Sequence, residues 1–212
     1  METRDRLFQA ALRLFAKKGF ANTTVEDITE AADVGKGTFF NYFRTKEHIL
    51  SYFAEQQVAS VIRWAQETHD STEPVEERLH ALVRTASKLP GNNPELVRAA
   101  MSSFFANEEI REDLRKQIAL GRRVLARYLA SALKQGRVRG GTSPILLART
   151  FQQVVLGSVL LWSLHQDAPI LSYLENAFEV LWHGMSPMAV NRNTGGAAIR
   201  RNRKEEQHGK RT

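Results

Sequence analysis

The sequence predicts an all-α protein, and three observations support this. Apolar residues recur at intervals of three and four along most of the 212 residues. Proline, glycine and helix-capping residues divide the chain into segments of helical length. Runs of strictly alternating apolar and polar residues between hairpin turns, which would indicate strands, do not occur. We expect about nine helices, arranged as a small N-terminal three-helix domain followed by a larger helical domain.

The first helix is predicted over residues 3–18, with Gly19 as its C-cap. Its apolar positions are Leu7, Ala11, Leu14 and Phe15. A second helix begins at Thr23 or Thr24, because either can cap it and an acidic residue three positions later completes a capping box. Its buried face is formed by Val25, Ile28 and Ala32. Residues 33–37 then break the helix, since their two glycines permit backbone angles that other residues resist.

A third helix restarts at Thr38. Phe39 and Phe43 are four residues apart and share one face, which we expect to be buried. Thr38, Asn41 and Tyr42 share the opposite face. Two short helices with a tight turn and a polar outer face are typical of a helix-turn-helix, whose second helix enters the major groove of DNA.

The stretch from Thr23 to Glu47 resembles the DNA-binding signature of the TetR family of transcriptional regulators. The matching residues are Thr23, Thr24, Ile28, Ala31, Ala32, Val34, Gly37, Thr38, Tyr42, Phe43, Lys46 and Glu47. Three positions depart from the signature: Asp33 stands where the family usually has glycine, Gly35 where it often has serine, and Phe40 where tyrosine is common. Phe40 lacks the hydroxyl that such a tyrosine typically donates to phosphate.

The polar residues of this motif are candidates for DNA contact. Asparagine can pair with adenine through two hydrogen bonds and a threonine methyl can meet a thymine methyl, which favours Asn41 and Thr38 as base contacts. The lysines and Tyr42 suit phosphate contact, although solvated lysines are the alternative. Thr24 could bind phosphate at a helix N-terminus or act only as a cap. The predicted DNA-binding residues are Thr24, Lys36, Gly37, Thr38, Asn41, Tyr42 and Lys46.

Six further helices are predicted in the larger domain. The fourth runs from Thr45 to about His69 and connects the two domains. The others begin near Pro74, Leu96, Asn107, Pro144 and Pro169. The last two, about 144–166 and 169–185, are apolar on most sides, which predicts burial on all sides. The TetR resemblance implies a homodimer formed through these two helices, whereas the alternative is that they form the centre of one monomer's core.

The same resemblance implies a ligand pocket in the larger domain. The candidate lining residues are Trp64, Met101, Phe104, Phe105, Gln152 and Trp162. Ordinary core packing is the alternative for each. Since these helices show no buried cluster of charge, we expect a small apolar or amphipathic effector.

Charge and composition divide the chain further. The net charge is +7, most of it contributed by residues 192–212, so we expect 186–212 to be a disordered basic tail that either contacts DNA or aids solubility. The predicted domains are 1–47 for DNA binding and 48–185 for effector binding and dimerisation. The sequence has no cysteine and no N-terminal signal peptide, and its longest apolar run, 154–162, is too short to cross a membrane. We therefore expect a cytoplasmic protein without a membrane partner.

The sequence predicts a DNA-binding regulator, and the resemblance implies a repressor released from its operator by a small molecule. One alternative is a TetR-like DNA-binding protein without an effector, acting through a protein partner or in chromosome organisation. Another is a helical enzyme or membrane-surface protein. We expect no enzyme, no cofactor and no metal site, because the sequence lacks a nucleophile motif and its six histidines lack metal-ligand spacing.

Overall fold

A computed structural model of the chain describes residues 2–67, 72–88, 93–165 and 167–187. These residues form nine α-helices and no strand, which confirms the predicted fold class. The helices are α1 (Thr3–Lys18), α2 (Val25–Ala31), α3 (Lys36–Tyr42), α4 (His48–Glu67), α5 (Val75–Lys88), α6 (Pro94–Ala106), α7 (Glu108–Lys134), α8 (Pro144–His165) and α9 (Ile170–Met185). The predicted end of the fourth helix at His69 and the predicted tail from residue 188 onward lie outside the described residues.

The apolar residues form two buried clusters. The first, here called the N-terminal cluster, joins α1, α2 and α3 through residues such as Leu7, Ile28 and Phe39. It also includes the start of α4 and residues of α6 and α7, which are Ile49, Leu50, Tyr52, Leu96, Ala100, Phe104 and Ile110. The packing of the small domain therefore continues into the larger one, and a division at residue 47 stays a prediction.

The second cluster, here called the C-terminal cluster, lies between the end of α4 and helices α5, α6, α7, α8 and α9. Trp64 belongs to it, while Ile49 at the other end of α4 belongs to the N-terminal cluster. Helix α4 thus connects the two clusters, as the sequence predicts. A movement of α4 would consequently shift the helices that pack around α3.

The turn between α2 and α3 differs from the prediction in two respects. Helix α3 begins at Lys36 rather than Thr38, with Gly35 as its N-cap. The left-handed backbone conformation falls on Asp33, with φ of 52°, and on neither glycine of the turn. Asp33 N–H donates to Glu30 O and Val34 N–H donates to Thr29 O, which closes α2 with a Schellman motif. Asp33 therefore occupies the position at which a helix most often places glycine.

Replacing Asp33 by glycine is expected to stabilise the protein by about 0.5–1 kcal/mol, because glycine adopts this conformation without the steric cost of a Cβ atom. Thermal unfolding measures the effect as a rise in Tm of roughly 2–4 °C per kcal/mol for a chain of this size. Asp33→Ala is the control and should lower Tm, since alanine lacks aspartate's tolerance of this region. A lower Tm for Asp33→Gly would contradict this account of the turn.

The start of α2 is held by a capping box that includes Asp27. The Asp27 carboxylate accepts from Thr24 N–H and Oγ1 at 2.7 and 2.6 Å, and Thr24 Oγ1 accepts from Asp27 N–H at 3.1 Å. The same carboxylate lies 2.5 Å from Lys18 Nζ at the end of α1. The Lys18 ammonium and the Thr24 hydrogen bonds hold the pKa of Asp27 well below its ordinary value.

Asp27→Asn is expected to lower Tm at pH 7, with a difference from the wild type that shrinks as the pH falls. A carboxylate with a depressed folded-state pKa adds stability above its unfolded pKa of about 4 and loses it as the pH falls toward the folded value. Thermal unfolding between pH 7 and pH 3 measures this difference. Glu30→Gln, an exposed site on the same helix, is the control. A Tm difference that is constant across this range would argue against the proposed role of Asp27.

Candidate nucleic-acid interface

Helix α3 is fixed by its aromatic residues and presents a polar face outward. Phe39 and Phe43 are buried, and their ring centroids lie 5.7 Å apart in the N-terminal cluster. On the other side, Asn41 is exposed and Tyr42 is 45% exposed, while Thr38 is half-buried. The amide of Asn41 forms a hydrogen bond with none of the described residues. The predicted contact face of α3 is therefore accessible to another molecule.

Gly37 leaves a gap on this exposed face. It lies in the first turn of α3, and a Cβ atom added there would meet no heavy atom within 4 Å. Gly37 does not have a positive φ, so the turn itself does not require glycine at this position. The missing side chain instead permits close approach by another molecule, such as a DNA backbone.

Gly37→Ala is expected to preserve or slightly increase stability, by up to about 1 kcal/mol, because alanine is the better helix former and has room here. The same change should weaken operator binding by about tenfold or more if DNA approaches this surface. Thermal unfolding and DNA binding of the same preparation separate the two effects. Gly136→Ala, at a glycine in the turn after α7, should instead lower stability because its φ is 66°. Unchanged operator affinity in Gly37→Ala would contradict close approach at Gly37.

The predicted phosphate-binding residues fall into different environments. Lys36 is exposed and pairs with Glu26 on α2, and the Lys36 hydrogen bond lowers the pKa of the Glu26 carboxyl. An ion pair this exposed is weak, so Lys36 can exchange Glu26 for a phosphate group. Thr24 caps α2, because its hydroxyl donates a hydrogen bond to the Asp27 carboxylate and accepts one from Asp27 N–H. A contact between Thr24 and DNA stays a prediction.

Lys46 has a structural role that the sequence did not reveal. Its ammonium donates to the carbonyl oxygens of Phe20, Ala21 and Thr23 at 2.9, 3.2 and 3.0 Å. The same group lies 4.7 Å from the centroid of the Phe20 ring. These contacts use all three N–H donors to hold the loop between α1 and α2. They argue against the predicted phosphate contact, because binding phosphate would break them.

The predicted pocket residues are dispersed rather than gathered around one cavity. Phe105 is 79% exposed on α6, so its assignment to an interior pocket is wrong, and Phe104 packs in the N-terminal cluster. Trp64 and Trp162 are buried in the C-terminal cluster, with Met101 packed against both clusters. Two surface clefts, of about 400 and 580 Å³, are lined by other residues. Since α6 turns Phe104 inward, its neighbour Phe105 faces outward.

Two polar atoms of the larger domain, one on α7 and one on α8, lie buried without a hydrogen-bond partner among the described residues. They are Tyr128 Oη and Gln152 Oε1. The Tyr128 ring lies 4.7 Å from that of Trp64, and burial raises the pKa of the Tyr128 hydroxyl. Gln152 Nε2 donates to Ile118 O at 2.9 Å. An unsatisfied buried acceptor or donor costs about 1–3 kcal/mol, which a bound molecule could recover. Trp64 and Gln152 were predicted candidates, but Tyr128 was not, because it resembled an ordinary residue of the α7 apolar stripe.

Helices α8 and α9 carry large apolar side chains that are exposed to solvent in a single chain. These residues are Ile145, Leu146, Leu156, Leu160, Leu161, Leu164 and Val180. The predicted burial of both helices on all sides is therefore not found within one chain, and the homodimer stays a prediction. Exposed apolar side chains grouped in this way, as from Leu156 to Leu164 on α8, mark an interaction site.

By length and composition alone, α8 is long and apolar enough to cross a membrane. This corrects the expectation, based on the run 154–162, that no segment is long enough. The helix has 22 residues and a mean hydropathy of 1.5, with 22% of that stretch buried. Its other face packs on α7 and α9 and carries Phe151 and Trp162 in the C-terminal cluster. That packing favours a protein partner over lipid as the cover for its outer face. No group of three His, Asp or Glu residues that could hold a metal occurs within the described part of the chain.

Comparison with known proteins relates both parts of the chain to transcriptional regulators. Residues 7–53 match the family model described as bacterial regulatory proteins, tetR family. The regulator YerO of Bacillus subtilis is 43% identical over 49 residues, which are 23% of this chain and only 17% of YerO. The repressor DhaR of Mycobacterium sp. is 23% identical over 184 residues, covering 84% of this chain and 91% of DhaR.

One solved structure extends the similarity over the full fold. It is the repressor FadR of Thermus thermophilus in complex with lauroyl-CoA. The two chains are 25% identical with a TM-score of 0.65, and the match covers 90% of this chain and 97% of FadR. The similarity therefore includes the larger helical domain as well as the helix-turn-helix.

Proposed function

We propose that the chain is a transcriptional regulator of the TetR family, whose model matches residues 7–53, and that it is a homodimeric repressor whose operator binding is opposed by a small molecule. The observation that carries the DNA-binding part is the outer face of α3, where Asn41 and Tyr42 are exposed beside the gap at Gly37. We propose that Asn41 and Thr38 contact bases and that Lys36 and Tyr42 contact phosphates.

The proposed dimer forms through the outer faces of α8 and α9. Leu156, Leu160 and Leu164 follow one another at helical spacing on α8, and Val180 of α9 is 77% exposed. Pairing two copies across this surface would remove these side chains from water. It would also place two α3 helices on one duplex, which requires a separation of about 34–36 Å for successive major grooves.

The proposed effector site lies between α4, α7 and α8, around Trp64, Tyr128 and Gln152. The buried unsatisfied atoms of Tyr128 and Gln152 support it, because a ligand could satisfy them. A ligand that separates α4 from α7 would move the start of α4, which packs against α1 and α3 in the N-terminal cluster. The lauroyl-CoA bound by Thermus thermophilus FadR supports an amphipathic effector. We further propose a cytoplasmic location and no catalytic role.

The test measures operator affinity with and without effector, using an operator selected from random duplex DNA. We expect the effector to weaken operator binding by about 5- to 150-fold, the range of typical allosteric coupling. Reciprocally, operator DNA should weaken effector binding by the same factor. Saturable effector binding that leaves operator affinity unchanged would contradict the proposal.

The positions of the two surface clefts favour a second candidate function. Neither the 400 Å³ nor the 580 Å³ cleft is lined by the predicted interior residues. This fits a TetR-family DNA-binding protein without a small-molecule effector, acting through a protein partner or in chromosome organisation. Specific operator binding that no amphipathic compound alters would favour this second function.

A further inference from the structure

Positive charge is concentrated on one part of the larger domain. Between Leu114 and Gln166 the sequence has nine Lys or Arg residues and no Asp or Glu. They are Arg115, Lys116, Arg122, Arg123, Arg127, Lys134, Arg137, Arg139 and Arg149, on α7, the following turn and α8. Such a concentration of like charge is unfavourable for the fold alone, so it suits an anionic partner.

The ion pairs of the protein show that this region is unusual. Outside this region, several cations pair with acids on other helices, as Arg4 of α1 does with Glu55 of α4 at 3.1 Å. Within the region, Arg115 and Lys116 pair only with acids of the preceding α7 turn, at 2.7 and 3.5 Å. From Arg122 to Arg149, the cations form no ion pair with any described residue. Their charge is thus available to a ligand.

The operator bound by α3 does not explain this charge. Helix α7 starts beside the DNA-binding domain, where Arg44 Nη1 lies 2.6 Å from Glu109 Oε1. It then runs to the C-terminal cluster, which contains Leu125 and Leu129. At 1.5 Å per residue, Arg122 lies about 20 Å along the helix from Glu109. Arg122 and the cations after it therefore lie well away from the end of α7 that adjoins the DNA-binding domain.

A surface cleft lies at the start of this charged region. Its volume is about 400 Å³, and it is lined by Glu112, Arg115, Lys116, Ile118, Ala119 and Arg122. Arg115 and Arg122 are two helical turns apart, about 10 Å along the axis, with the apolar Ile118 and Ala119 between them. The cleft thus combines cations at its ends with an apolar middle.

Gln152 of α8 contacts one residue of this cleft from the interior side. Its Nε2 donates to the carbonyl of Ile118, one of the cleft residues, while its Oε1 is buried and unsatisfied. A Cβ atom added to Gly121 would lie 3.5 Å from Gln152 Nε2 and 3.6 Å from Val58 Cγ2, so α4, α7 and α8 meet here. The Gln152 side chain therefore lies between the cleft residue Ile118 and the packed contact of α4, α7 and α8.

We propose that this α7 cleft binds the phosphate-bearing head of an amphipathic effector, an acyl ester or thioester whose chain passes Gln152 into the interior. The inference rests on the proposed effector function and names the chemical class of the ligand. Arg115, Lys116 and Arg122 bind the phosphates. Glu112 also lines the cleft, but its pair with Arg115 is an exposed contact within one helix, which a phosphate can replace at little cost.

The experiment compares the binding of lauroyl-CoA, free CoA and laurate to the full-length protein by calorimetry. The variant is Arg115→Gln with Arg122→Gln. The matched control, Arg123→Gln with Arg127→Gln, removes the same charge from other positions of α7. We expect the first pair to weaken lauroyl-CoA binding by at least about tenfold and laurate binding by less than about twofold. The control pair should change either affinity by less than about threefold. If Arg122→Gln impairs folding, the pair Arg115→Gln with Lys116→Gln is tested in place of the first pair.

Three outcomes would overturn the inference: no lauroyl-CoA binding to the wild type, equal losses in the two variant pairs, or laurate binding as tightly as lauroyl-CoA. Operator binding measured alongside separates this failure from failure of the proposed function. If an effector without phosphate releases the operator, the proposed function stands and the phosphate site is refuted. If the protein binds no operator, the proposed function itself fails.

Discussion

Replacing Asn41 and Thr38 together by alanine is expected to weaken specific operator binding by at least about 30-fold, because two base contacts are lost and each contributes about 1 kcal/mol or more of discrimination. Asn41 is exposed and its amide bonds to none of the described residues, so the change removes no visible contact within the protein. Stability should therefore stay within about 0.5 kcal/mol of the wild type. Binding titrations with the selected operator and with a scrambled duplex measure the specific component.

The control for this pair is Gln9→Ala, which removes an exposed amide from α1 outside the helix-turn-helix. It should leave both specific and non-specific binding unchanged. Binding to the scrambled duplex should also change little in the double variant, because non-specific binding depends on phosphate contacts. If the double variant still prefers the selected operator as strongly as the wild type, the assigned contact face of α3 is wrong.

Replacing Leu160 and Val180 together by glutamate is expected to separate the proposed dimer. Each symmetric dimer would carry four changes, and at about 1 kcal/mol or more each the dimer dissociation constant should rise by roughly a thousandfold. The added carboxylates would also have to be buried next to apolar side chains, which is unfavourable. Sedimentation measures the assembly, and operator affinity should fall by more than about 100-fold because a monomer binds one half-site.

Phe105→Glu is the matched control, since Phe105 is also a highly exposed apolar residue but lies on α6. Its replacement should change neither the assembly state nor operator binding. A double variant of α8 and α9 that remains a dimer would show that the two copies pair elsewhere. Loss of the folded state, measured by circular dichroism, would instead indicate that these faces pack within the monomer.

Local sequence patterns were sufficient to predict much of the fold and of the α3 face. The four-residue spacing of Phe39 and Phe43 predicted which side of α3 is buried, and both residues are buried. The predicted start of α7 near Asn107 is confirmed, and the Asn107 side chain caps the helix by accepting a hydrogen bond from Ile110 N–H. These features depend on residues within one or two helical turns, which is the range over which periodicity and capping act.

Features that depend on distant contacts were missed. Lys46 resembled a phosphate ligand, but its ammonium binds carbonyls more than twenty residues earlier in the chain. Phe104 and Phe105 are adjacent, but Phe104 is buried and Phe105 is exposed. Residue type alone did not predict which of the two faces the interior. Asp33 was seen only as a departure from the family signature, because the sequence did not show that its backbone closes α2.

The central claim is that two copies of α3 contact successive major grooves of one duplex, and selection of bound sequences from random duplex DNA tests it most directly. Our account predicts enrichment of an inverted repeat whose half-site centres lie about one helical turn, roughly 10 base pairs, apart. Enrichment of a single unrepeated motif, or of no sequence at all, would contradict the claim.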